Sequence, residues 1–152
     1  MEVGNIKDWK RVLFILPVLN HTEQEKFREL LLEMKEMNSG LQLETIVWEP
    51  DKRKAGAKNH VRHPNEMNGT DFSLFGKLKN EHLKHYFLGD FEVLVVFPFE
   101  FPEKVRKLFK KTENGLKIGF TPKEDFYSAV FSDSSNQFSE KVRLFRKYVL
   151  RR

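Results

Sequence analysis

FEVLVVFP, residues 91–98, is the stretch whose reading decides the fold. Val93, Leu94, Val95, Val96 and Phe97 are apolar without a break, and three of the five are β-branched. The run is far shorter than the ~20 residues of a membrane span and shows no alternation, so it reads as a strand buried on both faces. A strand of that kind lies inside a sheet with helices on either side. Downstream, Pro102 marks a helix start and Asn114-Gly115 a stop. The segment between them, 102–112, turns Val105, Leu108 and Phe109 to one side and Lys104, Arg106, Lys107, Lys110 and Lys111 to the other, as a crossover helix does.

Working outward, RVLFILP (residues 11–17) is the first strand and belongs beside the central one. Thr22 and Glu25 have the spacing of a capping box. The helix they open carries Phe27, Leu30, Leu31, Met34 and Met37 on one face and ends at Asn38-Ser39-Gly40. LETIVW (43–48) is the second strand. From 49 to 70 regular patterning lapses, which predicts a flexible, basic loop over 50–69 carrying Lys52, Arg53, Lys54, Lys58 and Arg62. DFSLFG (71–76) is apolar enough to pack back on the body, and 78–88 forms a short helix with Leu83, Tyr86 and Phe87 inward. LKIGF (116–120) and FYSAVF (126–131) are further strands; a parallel crossover takes about a dozen residues, so as neighbours these two are expected to be antiparallel. A last helix, 136–150, buries Phe138, Val142, Phe145 and Val149 and leaves Lys141, Arg143, Arg146 and Lys147 in water.

The expected architecture is a single three-layer α/β domain over 1–152, Rossmann-like or flavodoxin-like, with a mixed, mostly parallel open sheet of about five strands. The first strand lies between the second and the central one, 116–120 flanks the central strand on its other side, and 126–131 sits at or near an edge.

At 152 residues and 18.1 kDa the chain is the size of one domain. The absence of cysteine excludes disulfides, thiolate metal sites and a cysteine nucleophile. The start of the chain mixes charges and has no apolar signal-peptide core, so a cytoplasmic location is expected. The net charge of +5 is unevenly spread. Residues 1–50 hold 6 Lys/Arg against 9 Asp/Glu, residues 51–90 hold 8 against 5, and residues 91–152 hold 13 against 8. Positive surface of this kind attracts nucleic acid, anionic lipid or acidic protein.

In an open α/β sheet ligands bind beyond the carboxyl ends of the strands. The turn after the first strand, Pro17-Val18-Leu19-Asn20-His21-Thr22, has no glycine and no Gly-Lys-Ser/Thr, which argues against a dinucleotide or P-loop enzyme. His60/His63 and His82/His85 have ligand-like spacing but stand among Lys and Arg, so no metal and no cofactor is expected. Ser128, Ser132, Ser134 and Ser135 lie in no nucleophile motif. The best candidates for chemistry at the strand ends are His21, Thr22 and Glu100.

DFSLFGKLKN, the Asp90-Phe91 entry to VLVVFP, GLKIGF, FYSAVF and the closing Lys147-Tyr148-Val149-Leu150 together resemble a family of small uncharacterised proteins of Bacteroidota, a domain of unknown function. That resemblance covers nearly the whole chain and carries no activity. Residues 90–120 are also similar to the N-terminal domain of heptosyltransferase-like glycosyltransferases, which implies a shared fold. The chain lacks that family's Gly-Asp after the first strand and the second domain that would hold a sugar nucleotide.

The leading functional expectation is a non-enzymatic binding or accessory module that engages an acidic partner, RNA, a ribonucleoprotein or a protein. The residues expected to do so are Lys52, Arg53, Lys54, Lys58, Arg62, Lys107, Lys110, Lys111, Arg143 and Lys147. Two alternatives stand beside it: a small enzyme or anion-binding domain using the strand ends, and a structural subunit of a larger assembly.

Overall fold

The computed structural model of the chain describes residues 3–50, 62, 65–89, 91–112, 115–132 and 136–152. Its centre is a sheet of parallel strands: β1 (Arg11–Leu16), β2 (Gln42–Trp48), β3 (Glu66–Met67), β4 (Val93–Val96), β5 (Leu116–Gly119) and β6 (Ala129–Val130), in the order β3-β2-β1-β4-β5-β6. The central stretch is where its composition puts it, with Val12 to Ile15 of β1 paired in register with Val93 to Val96 of β4. Leu94 to Phe97 are wholly excluded from solvent.

Alternation along β1 and β4 divides the interior into two cores. Val12, Phe14, Leu16, Val93, Val95 and Phe97 face α1 (His21–Met37), while Leu13, Ile15, Leu94 and Val96 face the opposite layer. That layer holds α2 (Glu81–Leu88) and α3 (Glu103–Lys111), which contribute Leu83, Val105 and Phe109. The last helix, α4 (Phe138–Phe145), continues into a π-helical turn, Arg146–Leu150, and packs on the α1 side through Phe138, Val142, Phe145, Val149 and Leu150. Glu33 of α1 accepts from Arg146 at 2.7 Å and Arg152 at 3.3 Å, which fixes the end of the chain. No helix among the described residues is long and apolar enough to cross a membrane.

Several local expectations change. The sheet gains a sixth strand, because a two-residue β3 is too short to leave a periodic signal. α1 is capped by Asn20 and not by Thr22: the Asn20 side chain accepts from the Glu23 amide at 2.8 Å and the Glu23 carboxylate accepts from the Asn20 amide at 3.0 Å. β6 is parallel to its neighbour β5, with Ile118 opposite Ala129 and Gly119 opposite Val130. Only Ala129 and Val130 of FYSAVF form the strand, so residues 120–128 make the crossover without a helix. That loop is held to α3 by Arg106 Nε donating to Glu124 Oε2 at 2.6 Å and by Lys110 and Asp125 at 3.4 Å.

Tyr127 completes this crossover. Its ring lies against Gly119 so closely that a Cβ there would stand 2.2 Å from a ring carbon, which is why β5 carries a glycine at that position. The Tyr127 hydroxyl is buried and has no hydrogen-bond partner among the described residues, and burial, reinforced by the nearby Glu124 carboxylate, pushes its pKa well above the ordinary tyrosine value. The unfolded chain therefore loses this proton first: the stability is fully present below about pH 10, the unfolded tyrosine value, and falls as pH rises above it. Tyr127→Phe is expected to remove that dependence. Chemical denaturation at neutral pH and at pH 11 should show a loss of stability smaller by about 1.4 kcal/mol in the variant, whereas equal losses would contradict a buried, unpartnered hydroxyl.

Candidate functional site

The strand order reverses between β1 and β4. The crossover after β1 runs over one face and the crossover after β4 over the other, so the loops beyond their carboxyl ends part and leave a crevice. It has a volume of about 450 Å³ and is bounded by Pro17 and Val18 after β1, Trp48 at the end of β2, and Pro98 and Phe99 after β4. Glu100, Glu23 and Lys141 supply its charged groups. A second concavity of about 340 Å³ shares Trp48, Pro50 and Glu100 with it and reaches Lys104 on the α3 side.

Lys141, expected in solvent, is instead 4% exposed. Its ammonium donates to the Phe97 carbonyl at 2.5 Å and to Asn136 Oδ1 at 2.6 Å, and stands 4.0 Å from the centre of the Phe99 ring. Position 141 falls three after Phe138 and four before Phe145, on the apolar stripe of its helix, so the spacing contains the signal. The cation takes up the carbonyl at the end of the central strand and ties that strand to α4. Glu100, by contrast, is exposed and lies 3.3 Å from the Lys123 ammonium.

His21 and Thr22 occupy the exposed first turn of α1 and do not line the crevice. Where a Rossmann enzyme would hold a pyrophosphate, Glu23 places its own carboxylate on the Asn20 amide. With Glu23 and Glu100 at the mouth, the crevice suits a neutral or cationic molecule with an apolar body better than an anion. Among the described residues no three His, Asp or Glu side chains converge as a metal site requires.

One family profile, a family of unknown function (DUF6913), matches residues 2–150. The chain belongs to DUF6913. No curated protein and no solved structure matches it.

Among the described residues of this DUF6913 chain the basic side chains are not gathered into one footprint. Lys52, Arg53, Lys54 and Lys58 lie outside the described residues, as do His60 and His63. Arg62 is turned inward, donating to the Glu66 carbonyl at 2.6 Å and to Asp71 Oδ2 at 2.5 Å. Arg143 is held by Glu140 on its own helix, and the Lys147 ammonium lies 5.2 Å from the centre of the Tyr148 ring. Both belong to the last helix and its π-helical turn, on the α1 side of the sheet. Lys107, Lys110 and Lys111 belong to α3, on the other. The α3 layer is the richer of the two: residues 69–79 and 103–112 hold seven Lys/Arg against Asp71 and Glu103, and Asp71 is buried.

Beside α3 stands a hairpin whose apolar composition suggests packed surface. Phe72 bridges to Leu78, the Ser73 amide donates to the Lys77 carbonyl at 2.7 Å, and Gly76 donates back to Ser73 at 2.9 Å from a left-handed conformation with φ of 80°. Phe72 is buried, but Leu74 and Phe75 are 103% and 92% exposed. A buried polar network holds this hairpin from beneath. Asp71 accepts from Arg62, from the Asn68 amide at 2.8 Å and from Asn80 Nδ2 at 2.8 Å, and Glu66 accepts from Asn68 Nδ2 at 2.7 Å. Lys104 joins the hairpin to α3, its ammonium 5.2 Å from the centre of the Phe72 ring and 3.4 Å from the Gly69 carbonyl. Between hairpin and helix runs a wide groove of about 610 Å³ lined by Leu74, Phe75, Lys79, Lys104 and Lys107, with Glu103 its acid.

Proposed function

We propose that the chain is a binding module that engages an anionic partner through the α3 layer. The observation that carries this reading is the row Lys104, Lys107 and Lys111, which shares one side of α3 by its three- and four-residue spacing and continues onto Lys79 across the groove. Lys107 and Lys111 are exposed, and the ion pair in the row, Lys107 to Glu103, is open to solvent at 3.9 Å. A salt bridge of that kind is worth at most about 1 kcal/mol and is readily exchanged for a partner. The cations of the last helix are spread over the opposite layer and add to no common surface.

Retention on heparin should therefore be salt-dependent and should follow α3. Lys107→Gln with Lys111→Gln is expected to reduce the slope of log affinity against log salt by roughly 1.5, while Arg143→Gln with Lys147→Gln leaves it unchanged. Elution at low salt, or equal effects from the two pairs, removes the reading.

A second reading is favoured by the crevice at the reversal of strand order, which contains Glu100 and is walled by Lys141. It is a site for a small neutral or cationic aromatic molecule. Trp48 borders both concavities, so an occupant is expected to shift tryptophan emission and raise the melting temperature. A screen of such molecules that moves neither signal rejects it.

A further inference from the structure

We propose that the 73–79 hairpin and α3 together form a docking surface for an anionic lipid bilayer, with Leu74 and Phe75 inserted at the boundary of headgroups and acyl chains. The inference rests on the reading of α3 as an anion-facing layer and names the partner. Exposed large apolar side chains occur singly elsewhere among the described residues, at Val18, Leu32, Leu88 and Tyr148, and single ones are ordinary on a protein surface. Leu74 and Phe75 differ in being adjacent and in being almost fully accessible.

The fold presents this pair in a defined way. The turn is closed by hydrogen bonds at both ends, Gly76 supplies the left-handed residue it needs, and Phe72, Asp71 and Lys104 fasten its base. The tip stands out from its surroundings, and what surrounds it is cationic: Lys77 and Lys79 on the hairpin, Lys104 and Lys107 across the groove, with Glu103 the opposing charge. A stable protein interface covers about 800 Å² on each partner; two side chains ringed by lysines offer no apolar surface of that extent. A bilayer asks for less. Apolar side chains entering the interface and lysines resting at the phosphates are two weak signals that together give stable attachment. The charge ring also selects the lipid, since zwitterionic headgroups give the surface no net negative potential to attract the lysines.

The test uses the full chain and sedimentation with vesicles of phosphatidylcholine, with and without roughly one-third phosphatidylglycerol. Binding is expected to the anionic vesicles, to weaken steeply with salt, and to be absent from neutral ones. Leu74→Ser with Phe75→Ser should reduce partitioning at least about tenfold while circular dichroism and melting temperature stay unchanged, because both positions are exposed. Phe75→Trp provides an independent readout: the emission it adds should shift to the blue on binding and be quenched by lipids brominated in the acyl chain. Equal binding by the double serine variant, or added emission that neither shifts nor is quenched in the F75W variant, overturns the insertion. Heparin retention that depends on α3 without vesicle binding overturns the bilayer and leaves the anion-facing layer standing, with an acidic protein or nucleic acid as its partner. Loss of both removes the layer as well.

Discussion

Phe97→Ala is expected to lower the free energy of unfolding by about 4 kcal/mol, near the upper end of what deleting one core side chain costs. Phe97 is wholly buried at the end of the central stretch, and its ring meets Phe120 at 4.9 Å, Phe138 at 5.1 Å, Phe14 at 6.2 Å, Phe27 at 6.3 Å and Phe145 at 6.4 Å between centroids. Those five rings come from β1, α1, the end of β5 and α4, so one side chain joins the first core across both its helices. Aromatic contacts of this geometry add about 0.5–1.5 kcal/mol each beyond the area they bury, and five rings cannot all relax into the space one of them leaves. Phe97→Leu fills part of that space and should cost about half as much. Urea denaturation measures both; a loss below about 1.5 kcal/mol for the alanine variant would mean that the cluster repacks, contrary to the close packing described.

Asp71→Ala should cost about 3 kcal/mol and, unlike the core variant, should also weaken anion binding. The carboxylate is 4% exposed and accepts from three donors, Arg62, the Asn68 amide and Asn80. The Arg62 side chain is itself about one-third exposed, so solvent screens part of the ion pair and the figure lies below that for a fully buried one. Most of the loss comes from the donors left without an acceptor, the buried Asn68 amide and the half-buried Asn80 side chain. Asp71→Asn should recover little, since it turns an amide toward groups that already donate. Because the network lies beneath the hairpin, amides from 72 to 79 are expected to exchange early in the variant while those of β1 and β4 stay protected. Uniform exchange across the chain would show the network to be part of the global core.

Much of this fold is readable from composition because β1 and β4 are buried on both faces and therefore carry unbroken apolar runs. α3 is equally plain, having one apolar side and lysines on the rest. What escapes such reading depends on partners distant in sequence. Glu66 and Met67 form a strand only because β2 offers them an edge, and β6 runs parallel because Phe126 and Tyr127 pack where a crossover helix would otherwise lie. Arg62 looks like a surface cation until Asp71 is seen beneath it. Lys141 is legible in principle, since it lies on the apolar stripe of α4, but a lysine at such a place is ordinarily assigned to water. Leu74 and Phe75 mislead in the opposite sense: their apolar character suggests packing, and the turn that projects them depends on Gly76 and on contacts with α3. The family of unknown function spans residues 2–150, as the resemblance to an uncharacterised domain over nearly the whole chain implied, and carries no activity with it.

Amide chemical-shift mapping during titration with a heparin oligosaccharide tests most directly whether α3 is the anion-facing layer. Perturbations are expected along residues 103–111 and 72–79, with β1 and α4 silent. Shifts centred on residues 138–150, or on the crevice loops around Pro17 and Glu100 with α3 unmoved, would contradict it.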